Sequence, residues 1–213
     1  MDPGLVAIVG FCLFLLLWYG AAYLYNRRRG RQFHRWLLPG VGALGQSWRT
    51  TWWGSSLGGF HVAIADPVSP FKSVELILLL ENREMVLFWL IDLLRGRRDW
   101  LILKASFDKA RLGEVEVLPA RSRLAQGFRE QAEQGWKGKE GPHDLAIFHR
   151  GTAAQEQLAG LVSWLEEYGA SLDRLSWRRE APHVQLQLRA AGLLDRSSER
   201  LLADLRGAIA GTA

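Results

Sequence analysis

The amino-acid sequence predicts an α+β protein: one N-terminal transmembrane helix, then a single cytosolic domain with a mainly antiparallel sheet and three to four helices. Three observations predict this. Gly4 to Tyr25 is a stretch of 22 residues without a charged side chain, enough to cross a hydrocarbon core of ~30 Å at ~1.5 Å per residue. From Phe60 onward, short apolar or alternating runs recur between Gly, Pro and Asp breaks, the signature of strands. The helix-period segments among them do not alternate regularly with the strands, which favours an antiparallel sheet over a doubly wound parallel one.

The anchor takes residues 1–26. Trp18, Tyr19, Tyr23 and Tyr25 gather at its C-terminal end, where amphipathic rings favour the headgroup level. Arg27, Arg28, Arg29 and Arg31 follow. Positive charge after the apolar run, with only Met1-Asp2-Pro3 before it, is the reverse of a secretory signal peptide, although Gly20 and Ala22 resemble a cleavage site. By the positive-inside rule the arginine end stays in the cytosol and the N-terminus lies outside. The arginines either only fix this topology against anionic headgroups or also touch RNA or protein.

Residues 27–59 read as a basic, then Trp- and Gly-rich, interfacial segment with Trp36, Trp48, Trp52 and Trp53. These tryptophans either rest at the membrane surface, with the glycines forming a short re-entrant element, or pack under the domain core. GVGALG at Gly40 to Gly45 matches a dinucleotide-binding fingerprint in letters only. A fingerprint follows a buried strand and opens a helix, and here Leu37-Leu38-Pro39 precedes it.

Residues 60–213 form the domain. Strands are expected at Phe60–Asp66, Ser73–Leu80, Asp99–Asp108 and Gly113–Pro119, with an apolar helix inside Glu81–Gly96 that ends on Gly96. A polar, Arg-rich helix is expected between Pro119 and Gln134, and a loop of turn formers from Gly135 to Asp144. A strand follows at Asp144–Arg150, then a helix from Thr152 to Tyr168 with Thr152 as N-cap and Gly169 as stop. Strands at Leu172–Glu180 and His183–Ala190 and a final amphipathic helix at Ser197–Ile209 complete the order.

Chemistry is sparse. The single cysteine, Cys12, lies in the apolar run, so there is neither a disulfide framework nor a cysteine metal site. Of the five histidines none forms an i, i+4 pair. His143 and His149, placed on one strand face with Asp144 between them, lack a visible third ligand. Glu114/Glu116 and Glu166-Glu167 read as solvated faces. No catalytic, cofactor-binding or metal-ligating residue is assigned, and no small-molecule substrate is expected. The net charge of +5 favours phosphate-bearing partners. Arg95, Arg97, Arg98, Lys109, Arg111, Arg121 and Arg123 are either scattered surface charge or a face that tracks ribosomal RNA.

The run ELILLLENREMVLFWLIDLLRGRRDWLILKASFD combines a Leu-rich strand, a charged turn, a Leu-rich helix, a basic turn and a strand. With Asn26 and the arginines after the span, the Trp-containing segment, GPHDLAI at Gly141 to Ile147, YGASLDRLSW and HVQLQLRA, it resembles the calumin family in layout over roughly Gly4 to Ala191. Calumin is the coiled-coil-domain membrane protein of the PAT intramembrane-chaperone complex. The resemblance implies a non-enzymatic accessory factor for membrane-protein insertion and folding, a scaffold between membrane and ribosome. Its implied partners are the lipid bilayer, the translocon or a small intramembrane chaperone, and ribosomal RNA. The sequence shows neither the acidic segment before the span nor the long basic coiled-coil tail of animal members. No calcium site is therefore carried over, ribosome contact falls to the domain's own arginines, and the compact form is expected of a prokaryotic, archaeal-like relative. A membrane-tethered binding module of another membrane complex is the alternative.

Overall fold

The computed structural model describes residues 2–53, 59–107, 113–130, 135–151 and 154–210. Helix α1 (Pro3–Val41) opens with Asp2 as N-cap, its carboxylate accepting from the Gly4 N–H, and Pro3 at the first helical position. It does not stop at the arginines. Phe33, Leu37 and Val41 continue the helix into the domain core, where each is at most 1% exposed. The expected interfacial segment is thus largely helix and strand packed with the domain. Gly40 approaches the chain at Ser198 so closely that a Cβ would meet its carbonyl oxygen at 2.5 Å, so Gly40 serves packing.

Among the described residues, nine strands form one antiparallel sheet: β1 (Trp48–Trp52), β2 (Gly59–Ile64), β3 (Phe71–Leu79), β4 (Trp100–Phe107), β5 (Glu114–Pro119), β6 (Lys137–Gly141), β7 (Leu145–Arg150), β8 (Leu172–Trp177) and β9 (Val184–Arg189). Their spatial order is β1-β2-β3-β4-β9-β8-β5-β7-β6. The helices after α1 are α2 (Val86–Leu94), α3 (Arg123–Glu130), α4 (Ala154–Tyr168) and α5 (Ser198–Ala210). Period-two alternation aims Val74, Leu76 and Leu78 of β3, and Leu101, Leu103 and Ala105 of β4, into one core with the last third of α1, α4 and α5. Residues of opposite parity, Leu118, Ala146 and Phe148, meet Ala125 and Phe128 of α3 in a small second cluster, so α3 covers the other sheet face.

Two strands depart from the sequence expectation, and both are edges. Lys137–Gly141, expected as loop, is β6 against β7, and Trp48–Trp52 is β1 against β2. Four of the five residues in each are exposed, so neither carries the hydrophobic alternation that reveals a half-buried strand. Lysines on β6 are also what an edge uses to discourage further pairing. The expected N-cap Thr152 lies outside the described residues.

Candidate membrane interface

The first part of α1 exposes what a domain ordinarily buries. Leu5, Ile8, Phe11, Leu13, Leu16 and Leu17 are each at least half exposed, and α1 is the one described helix long and apolar enough to cross a membrane. Helix α2 shares this character. It carries no buried residue, with Leu87 71% and Leu94 86% exposed, and it projects from the tip of the β3–β4 hairpin beside α1. The Trp18 and Trp89 rings meet at a tilt of 46° with centroids 5.4 Å apart, and the Trp18 indole N–H donates to the Arg83 carbonyl at 2.9 Å. A groove of about 400 Å³ between the helices is lined by Leu15, Leu16 and Tyr19 on one side and Met85, Leu87 and Phe88 on the other.

A polar clamp fixes this excursion to α1. Asn26 is 1% exposed; its amide donates to the Glu81 carbonyl at 3.0 Å and its oxygen accepts from Arg83 at 3.0 Å. Arg83 forks onto Asp99 through Nη1 at 2.9 Å and Nη2 at 3.1 Å, and it pairs with Glu81 at 3.1 Å. Asp99 also accepts from the Glu81 N–H and faces Arg29 at 3.8 Å. Trp89 donates to the Glu81 carboxylate. Two acids and two arginines thus balance in a site where unpaired charge would be costly. The sequence signal was faint: an asparagine closing an apolar run, and ENRE opening another.

The structure divides the aromatic and basic residues named from sequence. Tyr19 and Tyr25 are exposed, Tyr23 half-buried, and the Arg83 guanidinium lies 5.1 Å over the Tyr25 ring. Arg27, Arg28 and Arg31 point outward, whereas Arg29 turns inward to Asp99 and over Phe33. Trp52 contacts His34 and Phe60 beside Gly30 of α1, and Trp53 stacks on His61, so both sit at the junction. Trp48 starts the same strand and lies ~13 Å further from the junction, four residues away at ~3.3 Å each. Trp36 belongs to the domain, donating to the Arg196 carbonyl.

Arg95, Arg97 and Arg98 are exposed directly after α2, Arg97 reaching back to Asp92 at 3.2 Å. Register aligns Trp100 with Arg189 and Leu188 with Leu172, and Val117 of β5 with Leu175. The chain leaving β5 at Pro119 therefore brings Arg121 and Arg123 to the same sheet end as Arg98. Both are exposed, and Arg121 lies 3.4 Å from Asp144. Lys109 and Arg111 lie outside the described residues. Arg174 and Arg178 are committed to Glu116, which is 2% exposed.

His143 is not on a strand. It occupies the turn before β7 at φ 56° with Nε2 2.7 Å from the Glu166 carbonyl oxygen, while His149 lies within β7. The alternation argument for pairing them therefore fails, and among the described residues no three His, Cys, Asp or Glu side chains gather into a metal-binding group. A groove of about 740 Å³ between α4 and α5 is lined by Ser163, Glu167, Tyr168, Arg200 and Asp204. Burial, and the hydrogen bond to Asp204, push the Tyr168 phenol up to about 12, so it stays protonated at neutral pH. Compared with known proteins, the chain matches no family model, and no curated protein matches it significantly.

Proposed function

We propose that the chain is a non-enzymatic membrane-anchored scaffold, with its N-terminus outside and its domain cytosolic, that assists insertion or folding of other membrane proteins between the translocon and the ribosome. The observation that carries this reading is the continuity of α1. One helix runs from the apolar stretch through the arginines to Val41 in the domain core, with the Asn26–Arg83–Asp99 clamp bracing it midway. A domain mounted this way has a fixed height and orientation over the bilayer, which suits a function that consists of occupying a position. The arginines after α1, after α2 and after β5 supply positive charge for headgroup or ribosomal phosphates. The calumin-like layout of the sequence agrees with this role.

The test is co-sedimentation of the full-length protein, solubilised from its native membranes, with ribosomes from the same source over a salt series. A Gly-Ser-Gly insertion after Arg31 shifts Asn26 along and around α1 relative to Phe33–Val41, so the clamp and the core packing can no longer engage the domain together and the rigid mount is lost. Salt-sensitive sedimentation that weakens in the insertion variant supports the scaffold reading. Protein that stays in the supernatant at low salt overturns the ribosomal part and leaves a membrane-tethered module of another complex.

A further inference from the structure

The geometry points to a second membrane-embedded element: the β3–β4 hairpin tip, Glu81 to Leu94, is a re-entrant insertion that places α2 among lipid acyl chains on the cytosolic side of the bilayer. This rests on the reading of α1 as a span.

Depth is the first argument. Helix α2 packs against Leu15, Trp18 and Tyr19. These residues lie ~18, ~14 and ~12 Å along α1 from Arg27, at ~1.5 Å per residue. If α1 crosses the bilayer with Arg27 at the headgroups, its neighbour α2 lies in the cytosolic half of a core ~30 Å thick.

The surface of the hairpin tip is the second. Between Glu81 and Leu94 every exposed side chain is apolar: Met85, Leu87, Phe88, Leu90, Ile91, Leu93 and Leu94. The four charged residues of that stretch are buried or half-buried: Glu81 and Arg83 lie in the clamp, Glu84 is 7% exposed beside the groove, and Asp92 pairs with Arg97. A soluble hairpin tip shows the opposite distribution, whereas a segment immersed in hydrocarbon must hide or pair its charges. The first exposed cations, Arg95, Arg97 and Arg98, come immediately afterwards, as the chain returns towards the domain, where they can reach headgroup phosphates.

The backbone is the third. Non-helical chain at membrane depth is tolerated where protein satisfies it. Here the Glu81 N–H is held by Asp99, the Glu81 carbonyl by Asn26 and the Arg83 carbonyl by Trp18. Nine helical residues, about 14 Å long, cannot cross the bilayer, and both flanking strands belong to the domain, so the segment enters and leaves on one side.

The experiment uses the full chain in vesicles of phosphatidylcholine and phosphatidylglycerol, with one environment-sensitive fluorophore per protein. The native Cys12 reports the span. In a Cys12→Ser background, Leu87→Cys and Phe88→Cys report α2, and Arg200→Cys, exposed on α5, reports the cytosolic surface. Nitroxides on the lipid acyl chains are the quenchers. Blue-shifted emission and loss of most of the fluorescence at Leu87 and Phe88, as at Cys12 and unlike Arg200, is the expected result. Quenching at Cys12 alone, with α2 labels as wet as Arg200, overturns the insertion and leaves the anchor intact. Absence of quenching at Cys12 overturns the anchor, and with it this inference. Blue-shifted α2 labels that lipid nitroxides do not quench overturn it in favour of a second copy of the chain covering α2.

Discussion

Helices α2 and α5 are both rich in leucine, yet they solve opposite problems. Helix α5 buries Leu201, Leu202, Leu205 and Ile209 and turns Glu199, Arg200 and Asp204 to solvent. Helix α2 exposes only apolar side chains, its one charged residue Asp92 being half-buried, and it buries none of its nine residues in the protein. The domain supplies the environment of the first. For the second it supplies a tether and a one-sided contact with Leu15, Trp18 and Tyr19 of α1. The same contrast runs along α1, whose exposed leucines precede Asn26 and whose buried Phe33, Leu37 and Val41 follow it.

The largest expected effect lies at the joint between the two regimes. Asp99→Ala leaves Arg83 and Arg29 facing each other without their shared carboxylate, and frees the Glu81 N–H. Removal of one partner from a buried ion pair costs about 3–5 kcal/mol. Urea unfolding in detergent should show a loss of that size, with the Trp18–Trp89 contact released. A change below about 1 kcal/mol would mean that the clamp does not hold α2 against α1.

The comparison sharpens with a matched pair of leucines. Leu205 is fully buried and Leu87 is 71% exposed, so Leu205→Ala should cost about 3 kcal/mol of domain stability and Leu87→Ala almost none. Equal losses would place α2 inside the domain's cooperative unit and remove the distinction. Gly40→Ala should lie between them. Its Cβ would press on the Ser198 carbonyl, a backbone atom that cannot swing aside, for about 1–3 kcal/mol, read as a lower urea midpoint.

The sequence expressed the interior of the fold better than its margins. β2, β3, β4, β5, β7, β8 and β9 and the helices α4 and α5 were legible because burial on one face writes a period into the residues, and α2 was legible as an apolar run closed by Gly96. β1 and β6 were not, since an edge strand of exposed residues such as KGKEG has no period to read. The end of the apolar stretch was legible as charge at Arg27, but the end of the helix was not. Phe33, Leu37 and Val41 recur at helical spacing, a signal masked by the glycines and Pro39 around them. The clamp was the least legible part, because Asn26, Arg83 and Asp99 are separated by 57 and 16 residues and converge only through the β3–β4 hairpin.

The smallest expected effect tests the buried half of α1 through a proton. His34 lies between Thr50, 3.2 Å from its Nε2, and the rings of Trp52 and Phe60, and burial holds its imidazole below the usual 6.5. The unfolded chain therefore binds the proton more readily than the folded one. Stability from this group is complete above pH ~6.5 and falls as the pH drops through the folded value. His149 acts in the same direction, through burial and then Lys139 and Lys137. The urea midpoint should accordingly decline below pH ~6.5, and His34→Gln, which can still bond Thr50, should flatten part of that decline. An unchanged slope in the variant would show that the ring is already hydrated in the folded protein. The β1 edge would then stand off from α1, and α1 would enter the domain at Phe33 rather than at Gly30.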